Sequence, residues 1–375
     1  MSASQPLPLA GKRVLEICHM LAGPYCGMLL ADLGAEVIKI ESGEGDIGRS
    51  TGPHYVGPQN VYFSSLNRNK HSVRLDLKNA ADQARFAALV ATSDALVTNL
   101  RPQAIVNLGL TYEALRATNP RLVCVALTGF GLTGPFRDRP AYDYIIQALA
   151  GVMMLTGEPD APPTRAGYSV VDNTGGMMAT IGMLAQLVSG RGAQIDIALY
   201  DVMLSQLNYL AAAYLNGGEA PVRHPAGGHA YFVPAQIFDT ADGHLALFIT
   251  HDEFWRKFCA AAGRTDWTGS PEFATMQART LNRASVVEAI SALMLTRTTE
   301  EWLAALQPQG IVVAGIRSMM DALDCPQTHA REMVVTVATP EGPLRLVGNP
   351  IKIEGCEARF LPAPLLGEQS TSRPP

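Results

Sequence analysis

The sequence predicts an α/β fold: a large domain built on a mainly parallel sheet, followed by a smaller α+β domain. Across its first two hundred residues, short β-rich runs alternate with apolar-periodic helical runs, the pattern of strands joined by crossover helices. A Gly/Pro-rich stretch at 216–229 (NGGEAPVRHPAGGH) then separates that pattern from a hairpin and further helices. With 375 residues, 47% hydrophobic and 17% charged, the chain is long and apolar enough for two cores.

Taken in order, the aliphatic runs 13–17, 36–40, 72–77, 95–98, 122–127 and 194–198 read as strands. Between them, 25–33, 80–92, 144–154 and 177–188 repeat their apolar residues at helical spacing. These elements form a Rossmann-like domain over 1–205, and ligands in such sheets bind beyond the carboxyl ends of the strands. After the Gly/Pro stretch, 236–250 reads as a hairpin turning at Ala241-Asp242-Gly243-His244, with helices at 253–262, 280–295 and 299–306. The tail returns to β-like runs at 333–338 and 344–352. The expected organisation is a large domain at 1–205 completed by 340–375, a small one at 222–325, and linkers at 206–221 and 326–339.

Several function classes fall away. A net charge of −5 leaves no electrostatic footprint for nucleic acid. The six cysteines (18, 26, 124, 259, 325, 356) include no CxxC pair, which argues for reduced thiols and against a zinc site, so no metal is expected. The first residues lack the apolar core of a secretory signal, and the uncharged runs 144–155 and 177–188 are too short to span a bilayer. A cytoplasmic protein without membrane contact is the expectation. Gly129-Phe130-Gly131-Leu132-Thr133-Gly134 matches GxGxxG after a credible strand, but Pro135 and Pro140 prevent the helix that a dinucleotide site needs. Gly167-Tyr168-Ser169-Val170-Val171 lacks the final glycine of a nucleophile elbow, and Walker A is absent. His251, before Asp252-Glu253, reads as a solvated helix start rather than a ligand.

The most informative stretch is 165–172, RAGYSVVD, followed by Asn173-Thr174-Gly175-Gly176. Asp172 stands at the mouth of a Gly-rich apolar helix, where it reads as an N-cap kept ionised by the helix dipole. Two early glycines cost helix stability and make sense where something approaches the backbone closely. An ionised carboxylate beside an open approach suits nucleophilic catalysis; a cap with no chemistry is the alternative.

From end to end the chain resembles the class III coenzyme A transferases, relatives of formyl-CoA and carnitine CoA transferases. The resemblance rests on Leu21-Ala22-Gly23-Pro24, on Asp32-Leu33-Gly34-Ala35-Glu36-Val37-Ile38-Lys39-Ile40-Glu41, and on Gly45-Asp46 with Arg49. It continues through Leu66-Asn67-Arg68-Asn69-Lys70, Leu75-Asp76-Leu77-Lys78, Asn119-Pro120-Arg121, the 129–135 loop, Gln147 with Gly151, and Thr156-Gly157-Glu158. It implies that Asp172 is the nucleophile, passing through an aspartyl anhydride and an aspartyl-CoA thioester. It places CoA contacts at Met20, Leu21, Ala22, Leu75, Lys78, Asn99, Leu100 and Arg101. Two positions that often carry Arg in the family are Ser42 and Asn107 here, and a family Lys is Pro140, so Arg49, Arg101 or Arg139 would compensate. A family glycine loop falls at Gly227-Gly228, with His229 and Tyr231 shaping the acceptor pocket, and Arg165 and the loop would meet a second carboxylate. Tyr142 closes the acyl pocket or packs as a plain aromatic.

By the same resemblance, coenzyme A thioesters are substrates, no cofactor is permanently bound, and the protein is an interlocked homodimer. The expected partners are acyl-CoA and small carboxylic acids, with dicarboxylates such as succinate, itaconate, mesaconate or citramalate first. Two rival readings are a 2-methylacyl-CoA racemase and a non-catalytic acyl-CoA-binding protein. The racemase needs a histidine base where this chain has Tyr142, and an unperturbed phenol titrates near 10.

Overall fold

The structure, a computed structural model, describes residues 5–370. Its main sheet has six parallel strands: β1 (Arg13–Ile17), β2 (Glu36–Glu41), β3 (Lys70–Arg74), β4 (Ala95–Thr98), β5 (Val123–Thr128) and β6 (Ala193–Ala198). Their spatial order is β3-β2-β1-β4-β5-β6, so the direction of winding reverses between β1 and β4. Every residue of β4 and β5 is buried, as central strands covered on both faces must be. The strand expected at 72–77 lies at Lys70–Arg74 instead. Leu75 and Leu77 are buried just beyond its end, and apolar character alone does not distinguish a strand residue from a core residue that follows it.

The helices that matter for the site are α1 (Ala22–Asp32), α2 (Ala80–Ala91), α3 (Asp143–Leu149), α4 (Val170–Ser189) and α5 (Leu199–Gln206). The helix expected over 144–154 ends at Leu149, because Gly151 turns left-handed at φ 83° before a short turn, Val152–Leu155. Helix α4 begins at Val170, earlier than apolar periodicity alone indicates. The glycines of α4 serve close packing: a Cβ on Gly176 would stand 2.6 Å from the Ala22 carbonyl oxygen, and one on Gly175 would strike Leu199.

The chain divides into two compact units: Met1–Ala150 with Gly167–Asn208 and Leu323–Pro375, and Gly151–Ala166 with Tyr209–Ala322. In the first, the tail contributes the antiparallel pair Val334–Thr339 and Gly342–Val347. Arg68 donates to the Val347 carbonyl at 2.6 Å and Gln59 to that of Ala363 at 2.9 Å. In the second unit, Ala235–Asp239 and His244–Phe248 form the expected hairpin, and Val312–Gly315, which sequence pattern does not reveal, pairs with His244–Phe248. Trp255, Trp267 and Trp302 are buried in its core. The helix expected over 280–295 is two helices, Met276–Leu281 and Arg283–Met294, broken at Asn282. Among the described residues, no helix is long and apolar enough to cross a membrane.

Candidate active site

The first unit holds a cavity of about 170 Å³ at the carboxyl ends of the strands, around the reversal between β1 and β4. Its walls are residues 19–22 after β1, 99–102 after β4, 127–129 at the end of β5, and Leu199 after β6. Ile47, Arg137, residues 139–142 and Asp172 complete it. A roomier cavity of about 340 Å³ lies at the opposite, amino-terminal ends, beside Lys12, Asp94 and Arg121. Parallel sheets place their ligands at the carboxyl ends, and Asp172 lines only the smaller cavity.

A buried charge network sets the wall after β1. Glu16 on β1 pairs with Lys39 of β2 at 2.8 Å and with Lys70 of β3 at 2.7 Å, and all three side chains are shut off from water. Lys39 also pairs with Asp46 at 2.8 Å and donates to the Cys18 carbonyl at 2.8 Å. Burial alone would depress the Lys39 ammonium, but Glu16 and Asp46 outweigh it and hold its pKa above the ordinary value. Asp46 in turn accepts the Met20 N–H at 2.9 Å, fixing a residue whose φ of 65° is uncommon for a side chain of that size. On the other side, Asn99 accepts the His19 N–H at 2.9 Å and donates to the His19 carbonyl at 2.8 Å. The Asn99 side chain is thereby occupied in holding the wall. Burial also lowers the pKa of His19.

Asp172 is the third residue of α4, not its cap. The N-cap, Ser169, makes no side-chain capping bond; Asp143 of α3 accepts the Val171 N–H at 2.8 Å instead. Burial, and second the charge of Asp143, push the Asp172 carboxyl up to about 7. The expectation that the helix dipole keeps it fully ionised fails, because a dipole effect of about 0.3–1 kcal/mol is smaller than those two together. Gly175 and Gly176 sit in the second turn, where their N–H groups point to carbonyls of the preceding turn and not to a substrate. Helix α1 differs: its N-terminus, at Leu21 and Ala22, carries no capping side chain and borders the cavity. Tyr62 lies within electrostatic reach of Asp172, and burial, then Asp172 and Asp46, push its phenol up to about 12.

The cavity thus brings together Met20, Leu21, Ala22, Asn99, Leu100, Arg101, Arg139, Tyr142 and Asp172. Tyr142 is 65% exposed, so it is not a packed core aromatic. Arg49, Leu75 and Lys78 do not line the cavity. Arg49 grips Glu41 through two nitrogens (2.6 and 2.8 Å), donates to the Pro364 carbonyl and stacks on Phe63. Leu75 is core, and Lys78 is exposed after its strand. Gly227, Gly228, His229 and Arg165 belong to the second unit. There Gly227 takes the left-handed φ of 67°, and the His229 Nδ1 accepts the Tyr231 and Phe232 N–H groups at 3.1 and 3.3 Å. Burial, then Arg283, lower the His229 pKa. His251 caps its helix by accepting the Phe254 N–H. Sequence reading did not single out His19, Tyr62 or Arg137, and it met Asp143 only beside Tyr142, in the triplet Ala141-Tyr142-Asp143 that stands where the racemase carries Gly-His-Asp.

The model of CoA-transferase family III matches residues 9–370. The chain is 36% identical over 354 residues to an acetyl-CoA:oxalate CoA-transferase of Acetobacter aceti, covering 93% of this chain and 90% of that one. It is 35% identical over 374 residues to a succinate–glutarate CoA-transferase of Agrobacterium fabrum, covering 96% and 93%. Among solved structures it is similar to a CAIB/BAIF family protein from Brucella suis, with a TM-score of 0.85, 33% identity and 98% of each chain covered. It also resembles Rv3272 from Mycobacterium tuberculosis, with a TM-score of 0.87, 28% identity, and 98% and 99% covered. A parallel sheet in this strand order, a carboxylate in the cavity at its reversal point, and end-to-end similarity to these enzymes agree: the chain belongs to CoA-transferase family III.

Proposed function

We propose that this enzyme moves CoA from an acyl-CoA donor to a small carboxylic acid, with Asp172 as nucleophile. The observation that carries this reading is one partly desolvated carboxylate in the cavity at the carboxyl ends of the sheet. Asp172 attacks the thioester carbonyl; the C–S bond breaks, CoA leaves as thiolate, and a mixed anhydride forms. The thiolate then attacks the aspartyl carbonyl, releasing the donor carboxylate and leaving an aspartyl-CoA thioester. The acceptor carboxylate attacks that thioester, expels the thiolate and forms a second anhydride. Attack of the thiolate on the acceptor acyl carbon frees Asp172 and the new acyl-CoA. No ATP is consumed, because the thioester bond energy is carried over at each step.

The uncapped N-terminus of α1 bordering the cavity is the reading's source of N–H groups for the oxyanion. Arg101, Arg137 and Arg139 supply the cations for CoA phosphates in place of the family's missing ones at Ser42, Asn107 and Pro140. Arg137 lines the cavity, and its ion pair with the exposed Asp138 is a long one, 3.6 Å. Dicarboxylates are the preferred acids, with succinyl-CoA and itaconate, mesaconate or citramalate as first choices. The names of the relatives, which include oxalate, glutarate, citramalate and mesaconate, support that class. A homodimer fits the exposed apolar side chains of Tyr214, Leu215, Met319 and Met320, which a second copy would cover.

Trapping tests the reading. Enzyme mixed with an acyl-CoA and quenched with hydroxylamine or borohydride is expected to carry modification at Asp172 alone. A modified Cys or Ser found by mass spectrometry would show that the nucleophile is misassigned.

A further inference from the structure

The carboxylate of Asp143 is spent on the nucleophile's own backbone. It opens α3, directly after the cavity residue Tyr142, and is 6% exposed. Its Oδ1 accepts the Val171 N–H at 2.8 Å and faces the Asp172 N at 3.4 Å. Its Oδ2 accepts from the amide of fully buried Gln147 at 2.7 Å. A helix start normally receives its capping oxygen from its own N-cap residue, and Ser169 provides none here. The cap therefore comes from a residue 28 positions earlier in the chain.

We infer that Asp143 is a positioning residue for the transfer reaction: it anchors the backbone of Asp172 and holds a second negative charge beside the attacking carboxylate. The inference rests on the reading of Asp172 as nucleophile. Two carboxylates in one poorly solvated place repel each other, and the repulsion ends when Asp172 becomes a neutral acyl derivative. The free carboxylate is thus destabilised relative to the acylated form, which favours the first covalent step. Gln147 keeps Asp143 from swinging away from that place. The raised pKa of the Asp172 carboxyl, with Asp143 as its second cause after burial, agrees with the geometry. The other titratable and charged groups facing this place are Tyr62 from the helix Val61–Asn67, Asp46, which acts on both Tyr62 and His19, and His19, Arg101, Arg137, Arg139 and Tyr142 on the cavity wall.

Asp143→Asn separates charge from anchoring. Its amide oxygen still accepts the Val171 N–H, and Gln147 can present its own oxygen to the new amide group. The expected result is a kcat at least tenfold lower, a KM for acyl-CoA within twofold, and an acidic-limb midpoint at least half a pH unit below the parent's. Hydroxylamine trapping should still mark Asp172, at a slower rate. Asp143→Glu, which restores the charge, is expected to recover the midpoint in part. A kcat–pH profile of Asp143→Asn that superimposes on the parent's would overturn the proposal. If Asp143→Asn does not fold, Asp143→Ser, which offers a hydroxyl and no charge, is read by the same criteria. Asp172→Asn distinguishes the underlying assignment: transfer by that variant at the parent's rate sinks the nucleophile itself. A dead Asp172→Asn beside an unaltered Asp143→Asn sinks only the role of Asp143.

Discussion

Replacing Asp172 by Asn should remove activity and make the protein more stable at alkaline pH. In the folded chain this carboxyl keeps its proton up to about pH 7, against an ordinary Asp value of 3.8. Its pKa is raised, so between those values the folded state holds a proton that the unfolded state has released. Stability therefore falls as pH rises across that window, and the loss is complete above pH 7. A roughly thousandfold increase in proton affinity corresponds to an upper bound of about 4 kcal/mol. Asp172 is only partly shielded from water, so about 2 kcal/mol is the reasonable expectation. An uncharged Asn at 172 avoids that loss, and α4 keeps its cap because Asp143 supplies it. For a unit of this size, about 2 kcal/mol corresponds to a melting temperature roughly 4–8 °C higher. Calorimetric melts of parent and Asp172→Asn at about pH 8 and pH 4.5 measure this. The variant should melt higher at pH 8, and the gap should shrink at pH 4.5, where the parent also carries a neutral carboxyl. A variant that melts below the parent at pH 8 would refute the reasoning, since Asp172 would then be supporting the fold.

Three further outcomes are expected. Lys39→Met leaves Glu16 and Asp46 buried without their shared cation, which typically costs about 3–5 kcal/mol. Its melting temperature should fall by roughly 6–20 °C, and a variant within 2 °C of the parent would show that the network adds little. Tyr142→Phe keeps the ring and deletes the hydroxyl; a lower transfer rate at unchanged melting temperature is expected if the phenol meets the acceptor acid. The parent should also leave the α-proton of a 2-methylacyl-CoA unexchanged in deuterated buffer, and rapid deuterium uptake would favour the racemase.

What a linear reading reaches is whatever local pattern encodes. Alternating apolar runs identify the strands of the main sheet to within a residue or two, except β3, where buried Leu75 and Leu77 extend the apolar run past the strand; they miss Val312–Gly315. Asp172 and the segments around 20–22 and 99–101 are legible through the family resemblance, and one cavity does gather them. The loop nature of the GxGxxG segment is legible from its prolines, because proline cannot continue a helix. Charge state and partnership are not encoded in this way. Arg49 and Lys78 look alike as candidate phosphate cations, yet Arg49 is committed to Glu41 and Phe63, and Lys78 stands exposed away from the cavity. Asp172 looks like an ionised cap, whereas tertiary burial and a carboxylate from α3 make it a weak acid and take over the capping. The glycines of α4 look like an approach for substrate and prove to be an approach for α1 and Leu199. Residue type and spacing determine which elements form and which side chains are available. Which charges lose water, and which of them meet, is decided only when segments distant in the chain are packed together, because desolvation and Coulomb energy depend on position in space.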